Sequence, residues 1–464
     1  MREDSFATYL RSLVVGADTP VSIANGSRRA AINFDNAATT PPLKSVMREI
    51  VRFAPWYASI HRGAGVKSIM SSEMFEQSRD IIKKFVHADA DKDVVICTKN
   101  TTESINILAY TLAGCGSEEV ILSTDMEHLA NDLPWQGKFK VDYAAIDGCG
   151  RLSLESLRQQ LTKYKGKVRL VAVTGASNVT GYINPVHTIA QMAHEYGAEV
   201  FVDGAQLVPH CAIDMKPHDS AQHIDYLAFS GHKMYAPFGG GVLIGRKGAF
   251  EHSEPVYKGG GIAKLVTRRF IDWDSPPYKE EAGTPNAMAA VAMVAAIRKL
   301  SGIGLNVIHD YEHNLICYAI AGMRSIPGLE LYSCAAKNEK RVSLISFTLQ
   351  GIHHKMLADI LSVEGGISVR NGLFCAHPYV IKLLKLSDDD IDYYYNKPNA
   401  RFPGLVRISL GLYNNYREID MLLELLHRIA CNRDYYKRKY SESAKARLKS
   451  IQQEWLLASR RKLP

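Results

Sequence analysis

Between residues 90 and 245 the chain alternates short β-branched apolar runs with stretches of helical length: "DVVICT", "EEVILST", "VRLVAVTG", "AEVFVDG", "IDYLAFSG" and "GVLIG". Short strands separated by helix-length segments predict βαβ units built on a mostly parallel sheet. The residues just after each run matter as much as the run. "VAVTG" leads to Ser177 and Asn178, "VFV" ends in Asp203, and "YLAFSG" leads to His232 and Lys233. Polar groups therefore gather at the carboxyl ends of strands, where open α/β sheets hold their ligands.

Beyond Asn286 the pattern turns helical, in "AMAAVAMVAAIRKLS" and "LNVIHDYEHNLICYAIAGMRS", and then mixes helices with the strand-like runs "VSLISFTL", "ISVR" and "LVRISL". This predicts a smaller α+β unit after a large α/β one. The expected division is an N-terminal arm over 1–30, a large domain over 31–295, a small domain over 296–431 and a tail over 432–464. The polar and aromatic stretch "LKLSDDDIDYYYNKPNARFPG", residues 384 to 404, has no clean period and is expected to be a long loop. In the tail, a helix is expected from about Ser441 to Ser459, with Ile451, Trp455 and Leu456 on neighbouring helical positions.

Composition limits the function. A chain of 464 residues exceeds what one core usually serves, which agrees with two domains. The formal charge of +8 is unevenly spread: Asn432 to Pro464 holds ten Lys or Arg against three Asp or Glu, so the body is close to neutral. The body thus has no net electrostatic reason to seek nucleic acid or an anionic membrane. The basic tail is expected to be solvated surface, with an acidic partner or RNA as the alternative. No run approaches the ~20 apolar residues of a membrane span, and the N-terminus carries early acids, so a cytoplasmic protein is expected. The eight cysteines, at 97, 115, 149, 211, 317, 334, 375 and 431, show no CxxC and no zinc or disulfide spacing, so each is read singly and no metal is expected.

Two residues suggest covalent chemistry. Lys233, in "AFSGHKMYAPFGGGVLIG", lies between an apolar strand and a glycine-rich run; burial there would depress its proton affinity and leave a competent amine, although a surface lysine would look the same. Asp203, in "VDGAQ", ends an apolar strand without visible metal-ligand partners. Together with an amine that captures a cofactor aldehyde, such a carboxylate has a specific use, holding a proton on a pyridine nitrogen so that the ring draws electrons.

The motifs "NFDNAATT", "TTESINILA", "MEHLANDLPWQ", "SNVTGYINP", "VDGAQ", "FSGHK" and "EAGTPN" occur in an order and at spacings that resemble the class V aminotransferase family, and within it the Suf-type cysteine desulfurases and selenocysteine lyases. The likeness runs from about residue 31 to 430. It implies a fold type I pyridoxal phosphate enzyme: a large domain with a mostly parallel sheet flanked by helices, and a smaller α+β domain. It further implies that Lys233 holds pyridoxal 5'-phosphate covalently, Asp203 pairs with the ring nitrogen, Gln206 bonds the phenolate oxygen and His128 stacks on the ring and serves catalysis. Thr101, Thr102, Ser230 and His232 would receive the phosphate at a helix start, where Asn100 and Glu103 have capping-box spacing. Thr284 would reach the phosphate of a partner subunit, which implies a homodimer. Asn178, Arg370, Arg407 and His61 would serve the amino-acid substrate; arginine suits a carboxylate because its planar fork binds bidentately.

The resemblance also gives Cys375 a role. Arg370, Gly372, Cys375 and Ala376 fill an R-x-G-x-x-C-A pattern whose cysteine attacks the substrate's sulfur, becomes a persulfide and passes the sulfur to an acceptor protein. The remaining cysteines are read as small apolar residues. Leu373 and Phe374 replace two histidines of the Suf-type pattern, and "CAHPY" and the long 384–404 stretch also depart from it. These changes leave room for a larger thio-amino acid packed against Phe374 and Tyr379. A carbon-sulfur lyase, an epimerase or an aminotransferase is the alternative within the fold, and a scaffold without turnover is the alternative outside catalysis.

Overall fold

The computed structural model of the protein describes residues 2–113, 119–333, 339–397 and 400–441. Seven strands form the principal sheet: β1 (Asp93–Thr98), β2 (Val120–Thr124), β3 (Lys140–Ala144), β4 (Val168–Thr174), β5 (Glu199–Asp203), β6 (Tyr226–Ser230) and β7 (Gly241–Arg246). Their spatial order is β1-β7-β6-β5-β4-β2-β3. Every pair from β6 to β3 is parallel, and β7 runs antiparallel to both β1 and β6. Strands β2, β6 and nearly all of β4 are buried along their length, as expected of a sheet covered on both faces, and this is why they read as continuous apolar runs rather than alternating ones. From β2 the chain moves to β3 on one side, whereas from β4 it moves to β5 on the other. The loops after β2 and β4 therefore flank the switch point of the sheet, the crevice where such folds bind ligands.

Helix α1 (Ala287–Ile303) is apolar on nearly all sides and lies buried in the large core. Gly304, at φ 97°, ends it; the next helix, α2 (Leu305–Met323), turns away by 78° and buries Leu315, Ile316, Ala319 and Met323 in a second core. No single helix among the described residues is long and apolar enough to cross a membrane; these two pass only as a bent pair.

The second core belongs to an antiparallel sheet of β8 (Leu329–Leu331), β9 (Leu344–Leu349), β10 (Arg370–Gly372) and β11 (Leu405–Ser409), ordered β8-β9-β11-β10. Ile32 and Asn33 pair in parallel with Ile367 and Ser368, and Ile32 and Phe34 bury in this second core. The next segment, Asp35 to Thr40, thus crosses from the small sheet towards the large one, with Asp35 bridged to Ser409 and the Thr40 amide donating to the His232 carbonyl.

Three expectations need correction. Residues 384–404 are not a long loop: Asp388–Asn396 is a helix capped by a full box in which Ser387 and Asp390 exchange bonds. Three aspartates in its first turn suit the positive end of the helix. Cys149 is disulfide-bonded, so it is not the isolated thiol expected. Tyr379 is buried, its hydroxyl donating to the Gly150 carbonyl and sharing a hydrogen bond of 3.0 Å with Thr180; it packs in the core and cannot line a substrate site. Tyr436 and Tyr440, just past Cys431, also bury in the second core. The helix expected to about Ser459, and with it the basic stretch considered for an acidic partner or RNA, falls almost wholly in 442–464, outside the described residues.

Candidate active site

Neighbouring strands β4, β5 and β6 end in Thr174, Asp203 and Ser230, and all three line one cavity of about 230 Å³. Loops complete it. After β2 come His128 and Ala130; after β4, Ala176 and Asn178; after β5, Ala205 and Gln206; after β6, His232 and Lys233 in a short 3-10 turn. Asn100, Thr101 and Thr102, at the start of helix α3 (Thr101–Ala113), close one end; the crossing segment adds Ala37 and Ala38; strands β10 and β11 and the turn after β10 add Arg370, Phe374, Cys375 and Arg407.

One end of the cavity is built by the helix start. The Thr101 amide donates to Ser230 Oγ at 2.8 Å, and their hydroxyls share a second bond at 2.7 Å. Asn100 Oδ1 accepts from the Glu103 amide at 3.0 Å, but Glu103 answers the Lys99 amide at 2.6 Å rather than that of Asn100, so the expected capping box is offset by one residue. Gly241 permits this arrangement: a Cβ there would lie 2.6 Å from Asn100 Cα. His232 shares a bond of 3.2 Å with the Thr39 hydroxyl, and burial beside Lys233 pushes its ring pKa down to about 4.

In the middle of the cavity, Asp203 is buried, accepts from the Ala205 amide at 2.9 Å and has its carboxyl pKa raised by burial, against the pull of that amide and of Lys233. Burial lowers the proton affinity of Lys233 and nearby Arg407 lowers it further, while Asp203 and Cys375 oppose. Gln206 spends one amide N–H on the Ala37 carbonyl at 2.7 Å. His128 caps its turn, Nδ1 accepting from the Ala130 amide at 3.0 Å; burial, Lys233 and Arg407 push its pKa down to about 4. The ring is therefore neutral near pH 7 and carries its proton on Nε2.

At the small-domain end Arg407 is only 3 % exposed. Nη1 donates to the Asn178 carbonyl at 2.8 Å, Nη2 to Asp35 Oδ1 at 3.0 Å, and the guanidinium lies 5.1 Å from the centre of the Phe374 ring. Its Nε is buried without a partner. An orphaned buried donor on a cation is costly unless a ligand satisfies it. Arg370 lies at the surface, 3.6 Å from the other oxygen of Asp35. Cys375 is exposed, beside these cations.

Two residues assigned by resemblance lie elsewhere. Thr284 and His61 share a different surface pocket, of about 620 Å³, with Ser59, Arg62 and Tyr278. His61 is bonded to Glu76 at 2.8 Å and edges onto the Tyr278 ring, so it stands with Thr284 and outside the cavity that holds Lys233. The structure adds Asp35, which holds both arginines, and Glu127, which is buried under the cavity. Glu127 accepts from the Thr124 hydroxyl at 2.6 Å, the Thr174 amide at 2.9 Å and Asn131 at 2.7 Å, and burial pushes its pKa up to about 8. Both sit inside motifs, "NFDNAATT" and "MEHLAND", but only folding shows what they face.

A cavity with an amine, a buried carboxylate across from it, a neutral aromatic ring, hydroxyls at a helix start and an unpartnered arginine donor defines an aldehyde-cofactor enzyme of amino acids. The donor set fits pyridoxal phosphate: hydroxyl and amide donors for a phosphate, Asp203 for a ring nitrogen, Gln206 for a ring oxygen. Comparison agrees. The sequence profile described as aminotransferase class-V matches residues 32–422, and the chain belongs to that family. A probable cysteine desulfurase of Halalkalibacterium halodurans is 34 % identical over 412 residues, 87 % of this chain and 94 % of the relative. Among solved structures, the apo cysteine desulfurase of Thermococcus onnurineus NA1 superposes with a TM-score of 0.76 at 31 % identity, covering 87 % of this chain and 95 % of that one. The Escherichia coli cysteine desulfurase CsdA, in its S-sulfonic acid form, also reaches 0.76, at 26 % identity, covering 92 % and 98 %.

Proposed function

We propose that the protein is a pyridoxal phosphate dependent cysteine desulfurase, acting as a homodimer and carrying sulfur on Cys375 to an acceptor protein. The observation that carries this reading is the placement of an exposed thiol, Cys375, on the same cavity as Lys233 and Arg407. When bound, the cofactor supplies an electron sink for bonds broken at the substrate's α-carbon. Lys233 Nζ, with its proton affinity depressed, holds the group and takes the α proton. Asp203 would keep a proton on the ring nitrogen, and His128, neutral near pH 7, would sit against the ring without adding charge. Arg407 receives the substrate carboxylate, with Asn178 and Arg370 beside it.

Cys375 Sγ then attacks the substrate's sulfur. An S–S bond forms as the Cβ–S bond breaks; the bond electrons pass to Cβ, which takes up a proton, the α-carbon regains a proton from Lys233, and alanine leaves. The outward pocket holding Thr284 supports the dimer reading, since a residue serving a partner's phosphate must face away from its own cavity. Incubation with L-cysteine and a reductant tests the reaction: sulfide and alanine are expected, and Cys375→Ser should lose them. Pyruvate or racemised cysteine would instead support a lyase or epimerase, and a Cys375→Ser variant with full turnover would remove the mechanism.

A further inference from the structure

Phe374 and Cys375 are consecutive residues in the left-handed region, at φ 52° and 53°. Side chains disfavour that conformation, and two in succession persist only where the surroundings impose them. Here the carbonyl of each is held from a distant element. Asn178 Nδ2, from the loop after β4, donates to the Phe374 carbonyl at 2.8 Å; the Leu129 amide, from the loop after β2, donates to the Cys375 carbonyl at 2.7 Å. The Ala376 amide closes the turn on the Leu373 carbonyl at 2.9 Å. Both clamping residues adjoin binding groups: Leu129 comes directly after His128, and the Asn178 carbonyl accepts from Arg407, on which the Phe374 ring lies.

We propose that Asn178 and the Leu129 N–H are positioning groups that lock the Cys375 turn in its left-handed form and aim the thiol into the cavity. Asn178 also couples that turn to the substrate. An amide carries two N–H donors; one is on Phe374, and the other is available to the carboxylate seated on Arg407. Seating the substrate thereby fixes the clamp, which places the thiol at the ~3–3.5 Å approach that attack on sulfur needs. The consequence for turnover rests on the reading of Cys375 as the sulfur carrier.

Leu129→Pro in the holoenzyme tests the clamp directly. Leu129 opens a 3-10 turn after His128, which has φ −67° and ψ 143°; a proline is tolerated at that place and removes the donor together with the half-buried leucine side chain. Asn178→Ala removes the other bond and serves should the proline variant not fold. Without substrate, hydrogen exchange of the peptide spanning 372–377 should quicken by about tenfold in each variant, and single-turnover persulfide formation should slow by about tenfold, with the bound-cofactor absorbance unchanged. Exchange equal to the parent protein's would overturn the clamp. Faster exchange in a protein that never forms a persulfide would instead remove the sulfur-carrier reading and leave the clamp standing.

Discussion

Arg407→Lys isolates what the guanidinium does beyond its charge. The lysine keeps the positive charge that depresses Lys233 and His128, so the protonation of those groups should change little. It can reach Asp35 or the Asn178 carbonyl, whereas Arg407 bonds both, at 3.0 and 2.8 Å, and still lines the cavity. The loss at the site is one charge-assisted bond to a carboxylate, about 1.5–3 kcal/mol. With each 1.36 kcal/mol equal to tenfold, kcat/KM for L-cysteine should fall by about 10- to 150-fold. The fall should lie mainly in KM, because the bond is present before and during reaction. Initial rates of alanine formation over a cysteine titration measure both constants, and a thermal melt guards against partial unfolding. A KM within twofold of the parent protein's in a folded, cofactor-loaded Arg407→Lys would refute the assignment of the substrate carboxylate to the Arg407 guanidinium.

Glu127→Gln addresses pH. Its folded pKa of about 8 is raised above the unfolded value, so the folded state binds the extra proton, and the stability this gives is progressively lost as pH rises from the unfolded pKa towards 8. The melting temperature of the parent protein should therefore drop more between pH 6 and pH 9 than that of Glu127→Gln; equal drops would contradict a raised carboxyl. Gly241→Ala would put a Cβ 2.6 Å from Asn100 Cα, an overpacking of about 1–3 kcal/mol against the phosphate end. Cofactor affinity, followed by absorbance titration, should weaken by about 5- to 150-fold, and an unchanged affinity would contradict the phosphate placement. Ser387→Ala removes a capping hydroxyl, so chymotrypsin should cut faster after the tyrosines of Asp388–Asn396, with a local cost of about 1 kcal/mol; unchanged cutting would argue against the helix.

The residues that stand out in the sequence are those whose position along a strand is itself the signal. Asp203, Ser230 and Lys233 come at or just after the ends of apolar runs, and parallel pairing of those runs necessarily brings their ends together. The helix Asp388–Asn396 carries a legible sign, a serine three residues before an aspartate, but it is outweighed by the lack of an apolar face; its charges and tyrosines are largely exposed, so no period appears. Three-dimensional adjacency between distant segments is not legible. Asp35 meets Arg407 across 372 residues, and the turn at Cys375 is held from Leu129 and Asn178. The family likeness assigns His61 to the substrate, yet it lines a different pocket, because sequence order does not say which face of the molecule a loop occupies.

The most direct measurement is a mass spectrum of the peptide containing Cys375 after the holoenzyme meets one equivalent of L-cysteine without reductant. One added sulfur atom on that peptide, matched by one alanine released, is the predicted result. Alanine or pyruvate formed with the Cys375 peptide unmodified at every time point would contradict sulfur transfer to this residue.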